Sequence, residues 1–258
     1  MSAYPTGGAP ASGAPAFRAL HHGRAPDDPL VLPGPWDAAS ARVFADAGFA
    51  ALATPSAGVS ASLGYPDGGA TPPDEMFAAI ARIARAVDVP VSADIEDGYG
   101  LAAKEIVERL LEAGAVGCNL EDSDAVAKRL KDPRRHADWL AEVRAAAGDS
   151  LVINARVDTF VRGVTGAEAA IERGRLYAAA GADCVYPIAA PPELLPELAA
   201  GIGTPINAIA GVEAGAGADA VPPSRLGELG ASRVTFGGGL HGASMAALKV
   251  MAERLHGS

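Results

Sequence analysis

Ala113-Gly114-Ala115-Val116-Gly117-Cys118-Asn119-Leu120-Glu121-Asp122 carries the pattern on which the fold turns. A helical run stops at Gly114, a short apolar run follows, and the run closes on two acids. Glycine is the residue a left-handed helix cap asks for, because it has no Cβ to clash there. Nearly the same wording recurs at Ala47-Gly48-Phe49, Ala180-Gly181-Ala182 and Leu229-Gly230-Ala231. Two further segments, Asp88-Val89-Pro90-Val91 and Gly203-Thr204-Pro205-Ile206, use proline at the same place. Extended along the chain, the pattern predicts eight strands, at 30–32, 50–54, 90–95, 117–121, 151–157, 184–188, 205–210 and 233–236. Amphipathic helical segments lie between most of them, among them 74–86, 101–113, 137–147 and 167–179. Strand starts fall roughly 20 to 40 residues apart, the length of a βα unit. Eight parallel strands separated by helices imply an α/β fold of the (β/α)8 TIM-barrel type, one domain spanning 17–258. A doubly wound sheet is the rival, but the first strand runs into Pro33-Gly34-Pro35-Trp36-Asp37, which is not a dinucleotide fingerprint. Residues 1–16 are almost all Ala, Gly, Pro and Ser, and are expected to form a disordered tail.

The composition narrows the function. Of 258 residues, 21 are Lys or Arg and 31 Asp or Glu, a net charge of −10 that argues against binding a phosphate backbone. An apolar share of 49% supports a large core. No apolar run is long enough to span a membrane, and the first residues have neither the basic nor the apolar region of a secretory signal. Cys118 and Cys184 sit in apolar runs and read as buried thiols of a cytoplasmic protein, not as a disulfide or a zinc site.

In a barrel of this type chemistry gathers at the C-terminal ends of the strands. With a period of two, Ser92, Asp94 and Glu96 share one face of the third strand, Asn119 and Glu121 one face of the fourth, and Asn154, Arg156 and Asp158 one face of the fifth. Carboxylates buried without partners would cost several kcal/mol each. A cation resolves that cost, and Asp94, Glu96 and Glu121 are hard oxygen donors suited to Mg²⁺, with Mn²⁺ as an alternative. The competing reading is that they form structural ion pairs, with Arg156 or with helix arginines. Arg156 is the cation that a small carboxylate substrate would need. Thr54-Pro55-Ser56-Ala57-Gly58-Val59-Ser60 offers hydroxyls and closely approachable backbone N–H groups to an anion. Gly237-Gly238-Gly239, leading into a helix over 242–255, is either an anion cradle or tight packing where the barrel closes. His241 follows that glycine run and reads as a solvated helix start. No Ser/His/Asp order or GxSxG element is present.

These motifs together resemble the isocitrate lyase/phosphoenolpyruvate mutase superfamily of Mg²⁺-dependent barrels. The resemblance rests on Ser60-Ala61-Ser62-Leu63-Gly64-Tyr65-Pro66-Asp67, Asp94-Ile95-Glu96-Asp97-Gly98-Tyr99-Gly100, Asn119-Leu120-Glu121-Asp122 and Asn154-Ala155-Arg156-Val157-Asp158, and covers about residues 17–250. It implies that Asp94 is the principal metal-coordinating aspartate, with Glu96 and Glu121 completing the metal's surroundings. It implies that Arg156 contacts the substrate carboxylate, and that Ser56 and Ala57 offer donors to a 2-oxo acid, with Gly98 and Asn119 also at the substrate. The Lys-Lys-Cys-Gly-His segment of the isocitrate and methylisocitrate lyases is absent. The corresponding stretch reads Ser123-Asp124-Ala125-Val126-Ala127-Lys128-Arg129-Leu130-Lys131-Asp132. Where mutases place a His on the sixth strand, this chain has Pro187 or Ile188.

The expectation is a Mg²⁺-dependent enzyme that cleaves a C–C bond of a small 2-oxo or 2-hydroxy carboxylate, lyase or decarboxylase in type, through an enolate. Tyr99, Lys128 and a metal-bound water are the candidates for proton donor. The alternatives are P–C chemistry, as in a phosphonomutase or phosphonopyruvate hydrolase, and a barrel that binds a metabolite without turning it over. By the same resemblance the chain assembles as a homodimer or homotetramer through its last helix.

Overall fold

Gly48, Gly114, Gly181 and Gly230 all take positive φ, between 81° and 108°, in the turns that follow four helices (Ala38–Asp46, Ala103–Glu112, Glu168–Ala179 and Pro223–Glu228). Each turn sends the chain back into a strand, as the glycine pattern requires. The structure is a computed structural model that describes residues 13–124, 127–212 and 221–257.

In chain order the strands are β1 (Leu30–Val31), β2 (Leu52–Thr54), β3 (Val91–Asp94), β4 (Gly117–Glu121), β5 (Ser123–Asp124), β6 (Arg129–Leu130), β7 (Val152–Val157), β8 (Cys184–Pro187), β9 (Asn207–Ile209) and β10 (Arg233–Thr235). Eight of them are the predicted barrel strands, and every ladder among these is parallel. They form a five-stranded sheet, β2-β3-β4-β7-β8, and a three-stranded one, β1-β10-β9, so the ladder is not one continuous ring. Single contacts join the sheets. Ala53 N–H donates to Pro33 O at 3.1 Å on one side, and Val185 N–H donates to Pro205 O at 2.9 Å on the other. Proline at 33 and 205 has no N–H to contribute, which limits pairing at both seams.

Two features depart from expectation. The strands β5 and β6 pair antiparallel, with Ser123 opposite Leu130 and Asp124 opposite Arg129. Of the predicted tail, 1–16, residues 1–12 lie outside the described ones, and its last three residues belong to the helix Ala14–Ala19, with Ala14 and Phe17 buried. Phe17 supplies the apolar anchor that the Ala- and Pro-rich stretch before it lacks.

The core has two parts. The larger lies between the strands and the surrounding helices. The smaller fills the barrel interior, where Phe17 meets Leu30, Leu32, Ala51, Ala53 and Val152. Gly117 makes room for that plug, since a Cβ there would stand 2.9 Å from Phe17 Cε1. Arg18 ties the plug down through Asp183 Oδ1 at 2.6 Å and Leu151 O at 2.8 Å. Both cysteines are buried and free, and no helix among the described residues is long and apolar enough to cross a membrane.

His21 and His136 are buried, and each has an Nε2 with no hydrogen-bond partner. Burial pushes His21 down to about 4 and His136 down to about 3. Their unfolded value is about 6.5, so below that pH the unfolded chain binds more protons than the folded one. Stability therefore falls as pH drops from about 6.5, with each histidine adding up to about 1.4 kcal/mol per pH unit to the slope. Urea unfolding of H136Q between pH 7 and pH 5 should show a slope shallower by about that amount.

Candidate active site

Register brings the predicted residues together. Asp94 lies opposite Asn119, Asn119 opposite Asn154, Glu121 opposite Arg156, and Arg156 opposite Tyr186, so adjacent strands present one tier of polar groups. Asp94 is held at both oxygens: Oδ1 accepts from Glu96 N–H at 3.0 Å, and Oδ2 from Asn119 Nδ2 at 3.2 Å. Its own N–H donates to Thr54 Oγ1 at 3.3 Å. Asn119 Oδ1 accepts from Asn154 Nδ2 at 2.8 Å.

Arg156 is clamped from two sides. Nη1 meets Glu121 Oε2 at 2.7 Å, and Nε and Nη2 donate to the two oxygens of Asp158 at 2.6 and 3.0 Å. A guanidinium has five N–H donors, so the clamp fixes its plane and still leaves donors for a ligand. Asp158 is fixed in turn, since its N–H donates to Asp122 Oδ1 at 2.8 Å. Asp122 is fully buried and its Oδ2 accepts from Tyr177 at 2.7 Å and Arg173 at 2.8 Å.

A cavity of about 210 Å³ opens above this tier. Ser56, Ala57, Asp94, Asn119 and Arg156 line it, as the sequence predicts, and Gly237 and Gly238 border it. Ser56 and Ala57 open the helix Ser56–Leu63, whose first N–H groups have no partner within the helix and suit an anion.

Four predicted residues stand elsewhere. Glu96 and Glu121 do not line the cavity; both are buried behind it. Glu96 has φ 53°, so strand alternation ends before it and its side chain does not simply continue the Asp94 face. Tyr99 also lies outside the lining, and its hydroxyl donates to Glu96 Oε1 at 3.4 Å. This corrects its assignment as a catalytic residue: it touches Glu96, not the cavity. Gly98 is corrected too. A Cβ there would stand 2.8 Å from Ile106 Cδ1 and 3.0 Å from Trp139 Cζ2, at φ +86°, so Gly98 serves a tight turn against a helix instead of a substrate.

Three polar lining residues were not given a role from the sequence: Asp67, Tyr186 and Thr235. Asp67 ends the segment 60–67, whose final acid was the available signal. Tyr186 sits beside Arg156 on β8, where strand parity counted from Arg156 would have found it. Burial pushes its phenol up to about 12, so it keeps its proton.

The acids crowd one another. Burial, then Asp67 and Asp94, push Glu96 up to about 7, and its Oε2 is buried with no hydrogen-bond partner. Burial also raises Asp94, against the pull of Arg156, and raises Glu121, again with Arg156 opposing. This donor set fits a hard divalent cation, because the Glu96 oxygen without a hydrogen-bond partner and the crowded Asp94 have no ion-pair partner among the described residues. Glu121 is committed to Arg156, and among the described residues no three acids, histidines or cysteines close around one point. An ion here would therefore rest on one or two direct carboxylates and water, the habit of Mg²⁺.

The chain matches the phosphoenolpyruvate phosphomutase family over residues 17–256. It belongs to that family. A relative within reach of the whole domain is an uncharacterized protein of Mycobacterium tuberculosis (strain ATCC 25618 / H37Rv), 35% identical over 242 residues, 91% of this chain and 88% of that protein. Oxaloacetate acetylhydrolase, solved with its product oxalate, shares the fold with a TM-score of 0.84 and 26% identity over 96% of this chain and 88% of its own. A 2,3-dimethylmalate lyase, described as a PEP mutase/isocitrate lyase superfamily member, gives a TM-score of 0.81 at 27% identity over 95% and 88%. The chain is thus a member of a superfamily of lyases and mutases that act on small carboxylates.

Within this family member, Asp122 is the post behind the Arg156 clamp. D122A would leave Tyr177, Arg173 and the Asp158 N–H without their shared acceptor. It should cost about 3–5 kcal/mol of unfolding free energy in a denaturant titration.

Proposed function

We propose that this chain is a Mg²⁺-dependent enzyme that cleaves a C–C bond of a small 2-oxo or 2-hydroxy carboxylate. One observation carries the reading: Arg156, rigidly clamped, shares a cavity of about 210 Å³ with Asp94. That volume suits an acid of a few carbons, and the pairing places a carboxylate-binding fork beside a candidate cation ligand.

Asp94, with Glu96 behind it and Asp67 across the cavity, would hold the ion. When bound, it supplies positive charge at the 2-oxo oxygen, where negative charge grows as the C–C bond breaks. Arg156 directs its spare N–H groups to the substrate carboxylate, and the start of the helix Ser56–Leu63 offers backbone donors to the same group. The chain's own groups thus orient the acid and limit its conformations before bond cleavage. Tyr186 is a neutral phenol at the cavity wall and would give its proton to the carbon of the enolate that cleavage leaves, taking one back from solvent. It takes the role once assigned to Tyr99, which stands behind Glu96.

The test is a turnover screen of the purified protein with Mg²⁺ against oxaloacetate and related 2-oxo and 2-hydroxy acids, scored for pyruvate and oxalate. Release of either supports the reading. Phosphate from phosphonopyruvate, with no C–C cleavage, would move the assignment to P–C chemistry, and tight oxalate binding without turnover would make the barrel a metabolite binder. D94A should abolish turnover. R156K should lower kcat/KM about 10- to 100-fold, since an ammonium cannot reproduce the planar fork. Y186F should lower kcat about 100-fold while leaving KM near the parent value.

Assembly belongs to the same proposal. The helix Gly239–His256 buries none of its residues in the single chain, and Met245, Leu248, Met251 and Leu255 form an exposed stripe along it. An apolar face of this kind calls for cover, and a second copy of the chain is the proposed occupant, giving a homodimer or homotetramer. Light scattering should report an oligomer for the parent and a smaller species for L248E/M251E.

A further inference from the structure

One charged side chain in the barrel has no role in the reading above. Arg233, on β10, is fully buried beneath the cavity floor, and no carboxylate lies within ion-pair distance of it among the described residues. Its Nε and Nη1 have no hydrogen-bond partner. Its hydrogen bond runs from Nη2 to Asn119 Oδ1, at 3.3 Å. A buried guanidinium without a counter-ion is costly, and an apolar residue of similar size would remove that cost.

We infer that Arg233 is a positioning residue that sets the direction of the Asn119 carboxamide and, through it, fixes Asp94. This inference rests on the proposed role of Asp94. The argument turns on donors and acceptors. Asn119 Oδ1 accepts from both Asn154 and Arg233, which turns Asn119 Nδ2 toward Asp94 Oδ2. A flipped amide would set its NH₂ against a donor and its oxygen against a carboxylate oxygen. Asn154 cannot enforce the choice: its own Oδ1 has no partner, so its amide would turn to follow Asn119. Arginine has donors and no acceptor. Arg233 therefore holds the Asn119 amide from its oxygen end, and that orientation keeps Nδ2 against Asp94 Oδ2. The second Asp94 oxygen takes the Glu96 N–H, so both oxygens are committed before any ion arrives.

The experiment compares R233M, R233Q and R233K with the parent. Three readouts are used: thermal midpoint, the side-chain amide ¹H–¹⁵N signals of Asn119, and Mg²⁺ binding in the presence of oxalate by calorimetry. R233M is expected to keep or raise the midpoint, because a buried unpaired charge is gone. Its Asn119 amide signals should lose their protection from solvent exchange. Its Mg²⁺ affinity should fall about tenfold or more, the size usual for loss of a partner behind a metal ligand. R233Q keeps length and polarity but can accept as well as donate, so it should lose the amide signature too. R233K, again a pure donor, should retain it. Parent-like Asn119 signals in R233M or R233Q overturn the proposal, as does an affinity loss that appears only with a lowered midpoint and is not restored in R233K. Absence of Mg²⁺ binding in the parent would instead remove the functional reading, while the amide signals would still decide what Arg233 does.

Discussion

A charge imbalance at one end of the barrel governs the rest of the molecule. Asp94, Glu96, Glu121, Asp122 and Asp158 are all buried there. Arg156 answers Glu121 and Asp158, and Arg173 answers Asp122. Asp94 and Glu96 are left without an ion-pair partner among the described residues. Two neighbouring carboxylates in a low-dielectric site cannot both stay ionised at little cost. They must share protons or recruit a cation, and the raised Glu96 is the first sign of that tension. Hard oxygen donors around an excess of negative charge are what the proposed divalent ion requires.

Most of the fold was legible because its punctuation is local. A left-handed cap needs glycine wherever it occurs, and Gly48, Gly114, Gly181 and Gly230 mark strand starts in sequence as they do in space. The core of the site was legible for a similar reason. Strand alternation places Asp94, Asn119 and Arg156 on one face, and parallel pairing then sets them side by side. Alternation fails where the strand does. Glu96 takes positive φ, so counting in twos past Asp94 sent it to a face that it does not continue. Asp67 was hidden for the opposite reason: it reaches the cavity from a loop, and nothing local in the sequence says which strand ends that loop will cover. The pairing of β5 with β6 was missed because the two strands are two residues each, too short to show a period.

The barrel interior is divided between stability and function. Its floor is apolar, with Phe17 inserted among Leu30, Leu32 and Val152. One tier up, Ser92, Asn154, Asn207 and Arg233 bury polar atoms that lack partners among the described residues. A design aimed only at stability would have filled that tier with branched aliphatics, the usual content of such barrels. Polar groups are retained there at a cost: Asn154 and Arg233 donate to Asn119, which donates to Asp94, and Asn207 donates to Thr235 Oγ1.

That direction bears on how the site can work. Arg156 is fixed from Asp122 by way of Asp158, and Asp94 is fixed from within the barrel by way of Asn119. Two separate supports, one buried against the helix Glu168–Ala179 and one in the lumen, therefore meet at a single cavity. Groups on strand ends braced in this way move little when a ligand arrives, which favours electrostatic stabilisation of charge that develops during reaction. Asp67 and Ser56 come from the other side, on the segments that follow β2. Under the proposed reading, a small carboxylic acid would place its carboxylate toward Arg156 to meet both sides of the cavity.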